Sequence, residues 1–312
     1  EVRLIQEIGE GNGGARLRKE IYLDGVQVKN AQAVGQFNAV LFLPQMMNMV
    51  DGSPEERRRY LNLALAQVVP GYAGALTEFN RALTQRNALL KQLGERGGDI
   101  AQLEFWDNLL SASGAQLIQA RNRAVVEIER LATQLHRQLT HGKELLRLSY
   151  RPSYDPAPMP PGQFTLALDV AVDRSGIPLE QIQNGYKERL LRLRSEEVQR
   201  GVTTVGPHRD ELRFLSNRVD LGEYGSRGQV RTLLLALKLA EVGWMKSKTH
   251  EWPVLLLDEV LAELDAQRRT DLLARLAEVE QALLTTTDLD HFSPDFLNRA
   301  TRWRIHEGFV EG

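Results

Sequence analysis

The spacing of hydrophobic residues changes twice along the chain, from short runs to helical periodicity and back. Short apolar runs at 2–5, 16–23 and 26–29 predict three strands. The dipeptide Asp24-Gly25 between the last two predicts a hairpin, because such pairs tolerate the positive φ angles of tight turns. A fourth run, 39–43, predicts a strand that stops at Pro44.

The middle of the chain has the period of amphipathic helices. Ser53 and Pro54 suit the cap and first position of a helix, so we predict a helix over 53–69. Further helices are predicted over 72–93 and 179–200. Between them, the segment 99–141 carries apolar residues at alternating three- and four-residue steps, with an interruption near Gly114. That interruption favours a packed helical bundle over an extended coiled coil.

Strands and helices alternate again after the middle segment. Because β structure occurs near both ends of the chain, we predict that the two ends share one sheet and that the helical part is an insertion. The predicted strands are 144–150, 211–215, 218–221, 254–257, 281–286 and 301–305, and the predicted helices are 228–246, 266–279 and 294–299.

Composition narrows the class of protein. A chain of 312 residues with 42% hydrophobic residues has room for about two domains, or for one large head with an inserted arm. Its net charge of −2 means that any nucleic-acid binding depends on local basic faces. The absence of cysteine excludes disulfides and thiolate metal sites. No apolar run approaches the roughly 20 residues of a membrane span, so we expect a cytoplasmic protein with no membrane partner.

Two acids follow a wholly apolar run near the carboxyl end. The run 254–257 fits a strand buried on both faces, and Asp258 and Glu259 would lie at its carboxyl end, where open α/β sheets bind ligands. Such a pair can hold Mg²⁺ with one carboxylate and polarise an attacking water with the other. The alternative is an ordinary strand with a capped exit.

Three further segments accompany the acid pair in a fixed order. Upstream, the segment 224–229 (YGSRGQ) leads into a helix, and its small residues leave backbone N–H groups open to an anion. Downstream, Asp265 ends a short acidic turn, and Thr287 lies in a run of hydroxyl residues at the next strand exit. Each segment alone fits an ordinary cap or turn, but their order is informative.

This order resembles the carboxyl half of ABC-type ATPase heads of the SMC-like class, and it is most similar to the RecF family. The segments 42–62, 86–91 and 206–212 also resemble RecF pieces, so the resemblance covers nearly the whole chain. It implies an α/β fold: an ABC-ATPase-type head of the P-loop NTPase superfamily with an inserted helical lobe. It further implies that Ser226, Gly228 and Gln229 contact ATP bound to the opposite subunit, that Asp258 binds Mg²⁺, that Glu259 is the catalytic carboxylate, that Asp265 orders the dimer interface and that Thr287 senses the γ-phosphate.

Two features depart from the family pattern. No GxxxxGK[ST] motif occurs, and the glycine-rich segment 9–19 has neither its spacing nor its lysine-hydroxyl pair. Since the first residue is glutamate, we expect that the sequence begins inside a longer gene product and that this chain alone does not bind ATP in the ordinary way. Gln45 follows Pro44 where similar sequences often carry an acid, and it is a candidate Q-loop glutamine.

Basic residues on two predicted helices are candidates for contacts with nucleic-acid phosphates. The alternative for each cluster is a solvated face balanced by nearby glutamates. His208 and Arg209 could position the signature lobe, meaning the lobe that carries the segment 224–229, although a structural turn is the favoured interpretation. The nucleic-acid candidates are Arg57, Arg58, Arg59, Lys187, Arg189 and Arg192.

The favoured hypothesis is a RecF-like protein that dimerises around ATP on DNA, hydrolyses ATP slowly and works with recombination mediator proteins to place a recombinase. A weak DNA-dependent ATPase activity is expected for the full-length protein. The alternatives are a non-catalytic helical scaffold with a degenerate head, or another SMC-like head. We predict one ATPase lobe from 1–52 and 250–312 and a second from 53–249, with its arm at about 72–141.

Overall fold

A three-stranded antiparallel sheet opens the chain. The computed structural model describes residues 2–8, 15–28, 33–157 and 172–311. Strand β1 (Val2–Ile8) pairs with β2 (Ala15–Leu23), which pairs with β3 (Val26–Val28). The predicted hairpin turn is confirmed, because Asp24 and Gly25 both have positive φ angles, 49° and 81°. Residues 9–14 of the glycine-rich segment 9–19 lie outside the described residues.

The helices of the middle segment begin and end close to the predicted positions. After a short helix α1 (Asn48–Asp51), α2 spans Pro54–Val68, α3 spans Tyr72–Arg96 and α5 spans Leu179–Arg200. Helix α2 packs on α3, and α3 packs on α5. Their apolar faces close a core, which includes the buried side chains of Leu61, Leu65, Phe79, Leu90 and Tyr186.

The fourth helix is longer than any other that the structure describes. Helix α4 spans Leu103–Leu139 without a break, which at 1.5 Å per residue makes it about 55 Å long. Gly114 does not interrupt this helix. A Cβ atom at this position would lie 2.7 Å from Tyr186 Cε1 and 3.2 Å from Phe79 Cε2, which explains why the residue is glycine. The missing side chain therefore makes room for two aromatic rings, and α4 is a bundle helix.

A three-stranded parallel sheet has the order β4–β8–β9. Strand β4 (Ala39–Phe42) pairs with β8 (Val254–Asp258), which pairs with β9 (Ala282–Thr285). Helix α7 (Arg227–Thr249) packs against β4 and is buried along most of its length. Helix α8 (Ala266–Leu276) connects β8 to β9.

The remaining strands form two further sheets. Strands β5 (Leu146–Arg151), β6 (Glu211–Ser216) and β7 (Val219–Asp220) are neighbours in that order. Two short helices remain: α6 (Leu221–Tyr224) precedes α7, and α9 (Pro294–Arg299) precedes the last strands. A hairpin of β10 (Arg304–His306) and β11 (Phe309–Glu311) completes the described chain.

The prediction that both ends of the chain share one sheet is right for β4 and wrong for the first and last strands. Strand β4 lies beside β8 and β9, as expected. Strands β1–β3 form a sheet of their own, because hairpin partners close in sequence complete their hydrogen bonds locally. Strand β10 likewise pairs with β11, which was not predicted.

The chain divides into two compact units. The first contains Glu1–Asn38, Ser53–Glu129 and Arg147–Arg213, and the second contains Ala39–Gly52, Arg130–Leu146 and Phe214–Gly312. These bounds differ from those of the predicted ATPase lobes, and the assignment of lobes stays a prediction. Among the described residues, no helix is both long and apolar enough to cross a membrane.

Candidate functional site

The carboxyl ends of three parallel strands bring the predicted site residues to one edge of the sheet. In the register of the sheet, Phe42 lies beside Leu257, and Asp258 lies beside Thr285. Gln45 follows β4 by three residues, in the 3-10 helix Pro44–Met47, and its side chain is exposed. Gln45, Asp258 and the threonines after β9 therefore share the edge where open α/β sheets bind ligands.

Asp258 is held by a hydroxyl group from the neighbouring strand. The side chain of Thr285 donates a hydrogen bond of 2.6 Å to Asp258 Oδ1. The same hydroxyl oxygen accepts a hydrogen bond of 3.2 Å from the backbone N–H of Glu259. Thr285 thus fixes the orientation of one acid and the backbone of the other, a role that sequence reasoning missed.

Glu259 has an unusual backbone conformation. Its φ of 53° and ψ of 19° are left-handed, a region that costs free energy for a residue other than glycine. The Thr287 hydroxyl donates a hydrogen bond of 2.7 Å to Glu259 Oε1. The turn therefore keeps a strained conformation in which Thr287 holds this carboxylate, and strain of this kind is concentrated at functional sites.

The acid pair fits a magnesium ion better than it fits a transition metal. Carboxylate and hydroxyl oxygens are the hard ligands that Mg²⁺ prefers, and Asp258 is exposed at the edge of the sheet. No group of three or more histidine, cysteine, aspartate or glutamate side chains forms a metal cage in the described part of the chain. Mg²⁺ is commonly held by one or two carboxylates together with substrate phosphates, which matches this arrangement.

The segment 226–229 forms a complete capping box at the start of α7. The backbone N–H of Gln229 donates to Ser226 Oγ at 3.3 Å, and the backbone N–H of Ser226 donates to Gln229 Oε1 at 3.1 Å. Ser226 and Gly228 are exposed, and a Cβ atom on Gly228 would meet nothing within 4 Å. The start of α7 is therefore held by two reciprocal hydrogen bonds, and Ser226 and Gly228 are open to solvent.

Asp265 caps the helix that follows the acid pair. It accepts a hydrogen bond of 2.9 Å from the backbone N–H of Arg268 and also forms an ion pair with the Arg268 guanidinium. About half of the Asp265 side chain remains exposed, at 52%. The predicted role of Asp265 at a dimer interface is compatible with this exposure and stays a prediction.

The predicted residues thus form two separate groups within the second compact unit. Asp258, Glu259 and Thr287 lie together at the sheet edge, joined through Thr285. Ser226 and Gln229 are bonded to each other, and in the described part of the chain no hydrogen bond links their loop to the acid pair.

The basic candidates differ in how far their charges are already paired. Arg57 makes two hydrogen bonds to the Glu211 carboxylate, at 2.8 and 3.0 Å, and Arg58 donates to the carbonyl oxygen of Asp210 at 2.9 Å. These contacts favour a structural role for both arginines. Arg59, Arg189 and Arg192 are exposed, Lys187 is half-buried, and the Arg192 guanidinium lies 3.2 Å from Glu188.

Two RecF-like segments supply a buried ionic network in the first compact unit. Arg86 is fully buried and bonds to Asp107 at 2.7 Å and to Glu197 at 2.6 Å. Arg121 is also buried and bonds to Asp210 at 2.8 Å. Burial alone would lower the pKa of Arg121, but Tyr72, Tyr150 and Asp210 raise it above its usual value. These charges therefore join helices and turns, since a buried charge must be paired.

His208 belongs to the same structural region. Its Nε2 lies 3.1 Å from the carbonyl oxygen of Thr203, and its ring packs 5.8 Å from the ring of Phe79. Burial lowers the pKa of His208 to about 4. The structural interpretation of the turn 206–210 is therefore favoured over a positioning role toward the signature lobe.

The relatives and solved structures that resemble this chain belong to one family. No protein-family model matches the chain. The DNA replication and repair protein RecF of Chloroflexus aurantiacus is 41% identical over 318 residues, which cover 99% of this chain and 75% of the relative. RecF of Herpetosiphon aurantiacus is 38% identical, with the same coverage of both chains, 99% and 75%.

A solved structure described as the recombination mediator protein RecF-ATPrS in the RecFOR pathway has a TM-score of 0.77 at 27% identity, covering 96% of this chain and 73% of that chain. A second, described as RecF-ATP in the same pathway, has a TM-score of 0.76. These similarities extend over nearly the whole chain and include both the sheet edge and the helical bundle. The chain therefore belongs to the RecF family of DNA replication and repair proteins.

Proposed function

We propose that the protein acts as a recombination mediator that dimerises on DNA around bound ATP and separates after slow hydrolysis. The observation that carries this proposal is that the site residues form two groups, each bonded within itself, with no hydrogen bond between the groups among the described residues. Asp258 and Glu259 are oriented by threonine hydroxyls at the sheet edge. The capped loop 226–229 faces outward, as a surface that serves a second copy must.

The acid pair would supply the hydrolytic half of each site. ATP brings the γ-phosphate that is attacked. Mg²⁺ would neutralise much of the negative charge on its phosphates. Asp258 would hold Mg²⁺, directly or through water. Glu259 would take a proton from the attacking water at the carboxylate oxygen that Thr287 leaves open, because Thr287 bonds only to Oε1.

The outward-facing loop would supply the other half, in the opposite subunit. The Ser226 oxygen accepts from Gln229, so its hydroxyl proton remains available to donate outward. Backbone N–H groups at the start of a long helix attract anions. Among the described residues, Gly228 has no neighbour that requires glycine, although glycine in a helix costs roughly 1 kcal/mol relative to alanine. A close approach from outside the chain, such as by a phosphate, explains its presence.

DNA would be held without sequence readout. Arg59, Arg189 and Arg192 have exposed side chains that can reach phosphates. Since the net charge of the chain is −2, binding should depend on these local faces and weaken steeply with added salt. Work with other mediator proteins in placing a recombinase follows from family membership and belongs to the proposal.

The Glu259→Gln variant tests this function. Glutamine keeps the hydrogen bond from Thr287 but cannot accept a proton, so we expect ATP hydrolysis to fall by about 10²-fold or more and the ATP-bound dimer to last longer. The measurements are single-turnover hydrolysis and sedimentation of the protein as its gene encodes it, with ATP and with ADP. A variant that dimerises no better than the wild type and hydrolyses ATP at a similar rate would contradict the proposal.

A further inference from the structure

The side chain of Gln229 makes one contact that its role as a cap does not need. Its Oε1 completes the capping box, while its Nε2 donates a hydrogen bond of 3.2 Å to Glu144 Oε1. Glu144 lies 85 residues earlier in the sequence, in the connection between α4 and β5. The outward-facing loop is therefore attached to a distant part of the second compact unit.

Glu144 is itself held firmly. Its other oxygen accepts a hydrogen bond of 2.7 Å from the Ser216 hydroxyl, and His136 Nε2 lies 3.7 Å from that oxygen. The side chain of Glu144 is 21% exposed, and that of His136 is fully buried. A carboxylate with both oxygens bonded and little solvent keeps one orientation, because leaving either partner unpaired would cost free energy.

The backbone on both sides of Glu144 is anchored as well. Asn217 receives a hydrogen bond of 2.9 Å from the N–H of Leu145 and donates one of 3.1 Å to the carbonyl of Lys143. Its own N–H donates to the carbonyl of Leu145 at 3.0 Å. Glu144 is thus a fixed point against which the side chain of Gln229 is held.

We propose that Glu144 is a positioning residue that orients Gln229, and through it Ser226, toward the nucleotide of the opposite subunit. Without Glu144 the Gln229 amide loses its second anchor and can leave the capping box. Ser226 would then adopt several orientations, and its hydroxyl would be less available to the partner's phosphate. This inference rests on the proposed function, since it links Glu144 to the loop that completes the nucleotide site of the opposite subunit.

The test compares Glu144→Ala, Glu144→Gln and Glu129→Ala in the protein as its gene encodes it. Glu144→Gln keeps an oxygen for Gln229 and an amide that can donate to the Ser216 oxygen, so it should behave like the wild type. Glu129 is the control carboxylate, because its side chain is buried and lies 3.4 Å from Arg147, and no hydrogen bond among the described residues joins it to the loop 226–229. Its loss should affect stability without affecting dimerisation of the folded protein.

We expect Glu144→Ala to weaken ATP-induced dimerisation about tenfold and to lower kcat, while the KM for ATP changes less than threefold because the chain's own half-site is intact. Hydrogen exchange should become faster at the amides of Ser226 and Gln229. Folding is checked by circular dichroism at the temperature of the assay. The exchange readout needs no nucleotide and would detect loosening of the loop even if dimerisation were not observed.

Each outcome decides one point. If the wild type dimerises and Glu144→Ala dimerises equally well with unchanged exchange at 226–229, the inference is wrong and the proposed function stands. If Glu144→Gln is as impaired as Glu144→Ala, the negative charge matters and the hydrogen-bond account is wrong. If the wild type does not dimerise with ATP, the proposed function fails, and the exchange rates still decide whether Glu144 positions the loop.

Discussion

Asp258 is oriented by Thr285, the last residue of the neighbouring strand, and Glu259 by Thr287, two residues further on. The sequence pattern predicted both acids and Thr287, because an apolar run followed by two carboxylates and a hydroxyl-rich strand exit can be seen without a structure. It did not predict Thr285, since the partner of Asp258 depends on the register between β8 and β9. Glu144 carried no signal either, because its contact with Gln229 joins residues far apart in the sequence.

Replacement of Thr285 tests the orientation of Asp258. Thr285→Val keeps the shape of the side chain but removes the hydroxyl that holds Asp258 Oδ1. Loss of an outer partner of a metal ligand commonly weakens metal binding by 10–100-fold, so we expect the half-saturating Mg²⁺ concentration for ATP-induced dimerisation to rise about tenfold. Thr285→Ser keeps the hydroxyl and is the control. An unchanged Mg²⁺ requirement in Thr285→Val would show that Asp258 needs no such support.

Helices were predicted more accurately than sheets. The cap at the start of α2 is a local signal, so Ser53 and Pro54 marked the beginning of that helix correctly. The continuity of α4 could not be predicted, because the reason for Gly114 lies in Tyr186 of another helix. The hairpin of β2 and β3 was predicted, but the separate sheets of β1–β3 and β10–β11 were missed, because an apolar pattern locates strands without showing which strands pair.

Two glycine substitutions separate helix propensity from packing. Gly114→Ala would bring a methyl group to 2.7 Å from Tyr186, so we expect it to lower the free energy of unfolding by about 1–3 kcal/mol. Gly74→Ala in α3 meets nothing within 4 Å, and we expect it to raise that free energy by about 0.5–1 kcal/mol. Urea unfolding at neutral pH measures both. Equal effects of the two substitutions would contradict the close packing of α4 on Tyr186.

At the scale of the whole molecule, two segments that resemble the RecF family contribute residues to buried ion pairs. The residues Arg86 and Asp210 belong to segments that resembled the family, and both are buried in ion pairs. The sequence could identify these segments without showing what they do, because burial and pairing are properties of the fold. The sheet edge and the loop 226–229 carry the proposed chemistry instead.

Stability of the fold should depend on pH through His208. The folded pKa of His208 is about 4, below the value of 6.5 expected when unfolded, so its contribution is complete above pH 6.5 and is lost as the pH falls toward 4. That loss amounts to at most about 3 kcal/mol. We expect His208→Gln to be less acid-sensitive than the wild type in urea unfolding between pH 7 and 5. Burial also lowers the pKa of His136, so the variant should retain some dependence. Parallel pH profiles would contradict the burial of neutral His208.

The central claim is that one nucleotide site uses Glu259 of one subunit and Ser226 of the other. Mixing Ser226→Ala with Glu259→Gln before ATP is added tests it, because each variant alone lacks one half of every site. Random pairing makes half of the dimers mixed, with one complete site in each, so the account predicts that ATP hydrolysis recovers to about a quarter of the wild-type rate. A mixture no more active than the average of the two separate variants would show that both residues serve the same subunit.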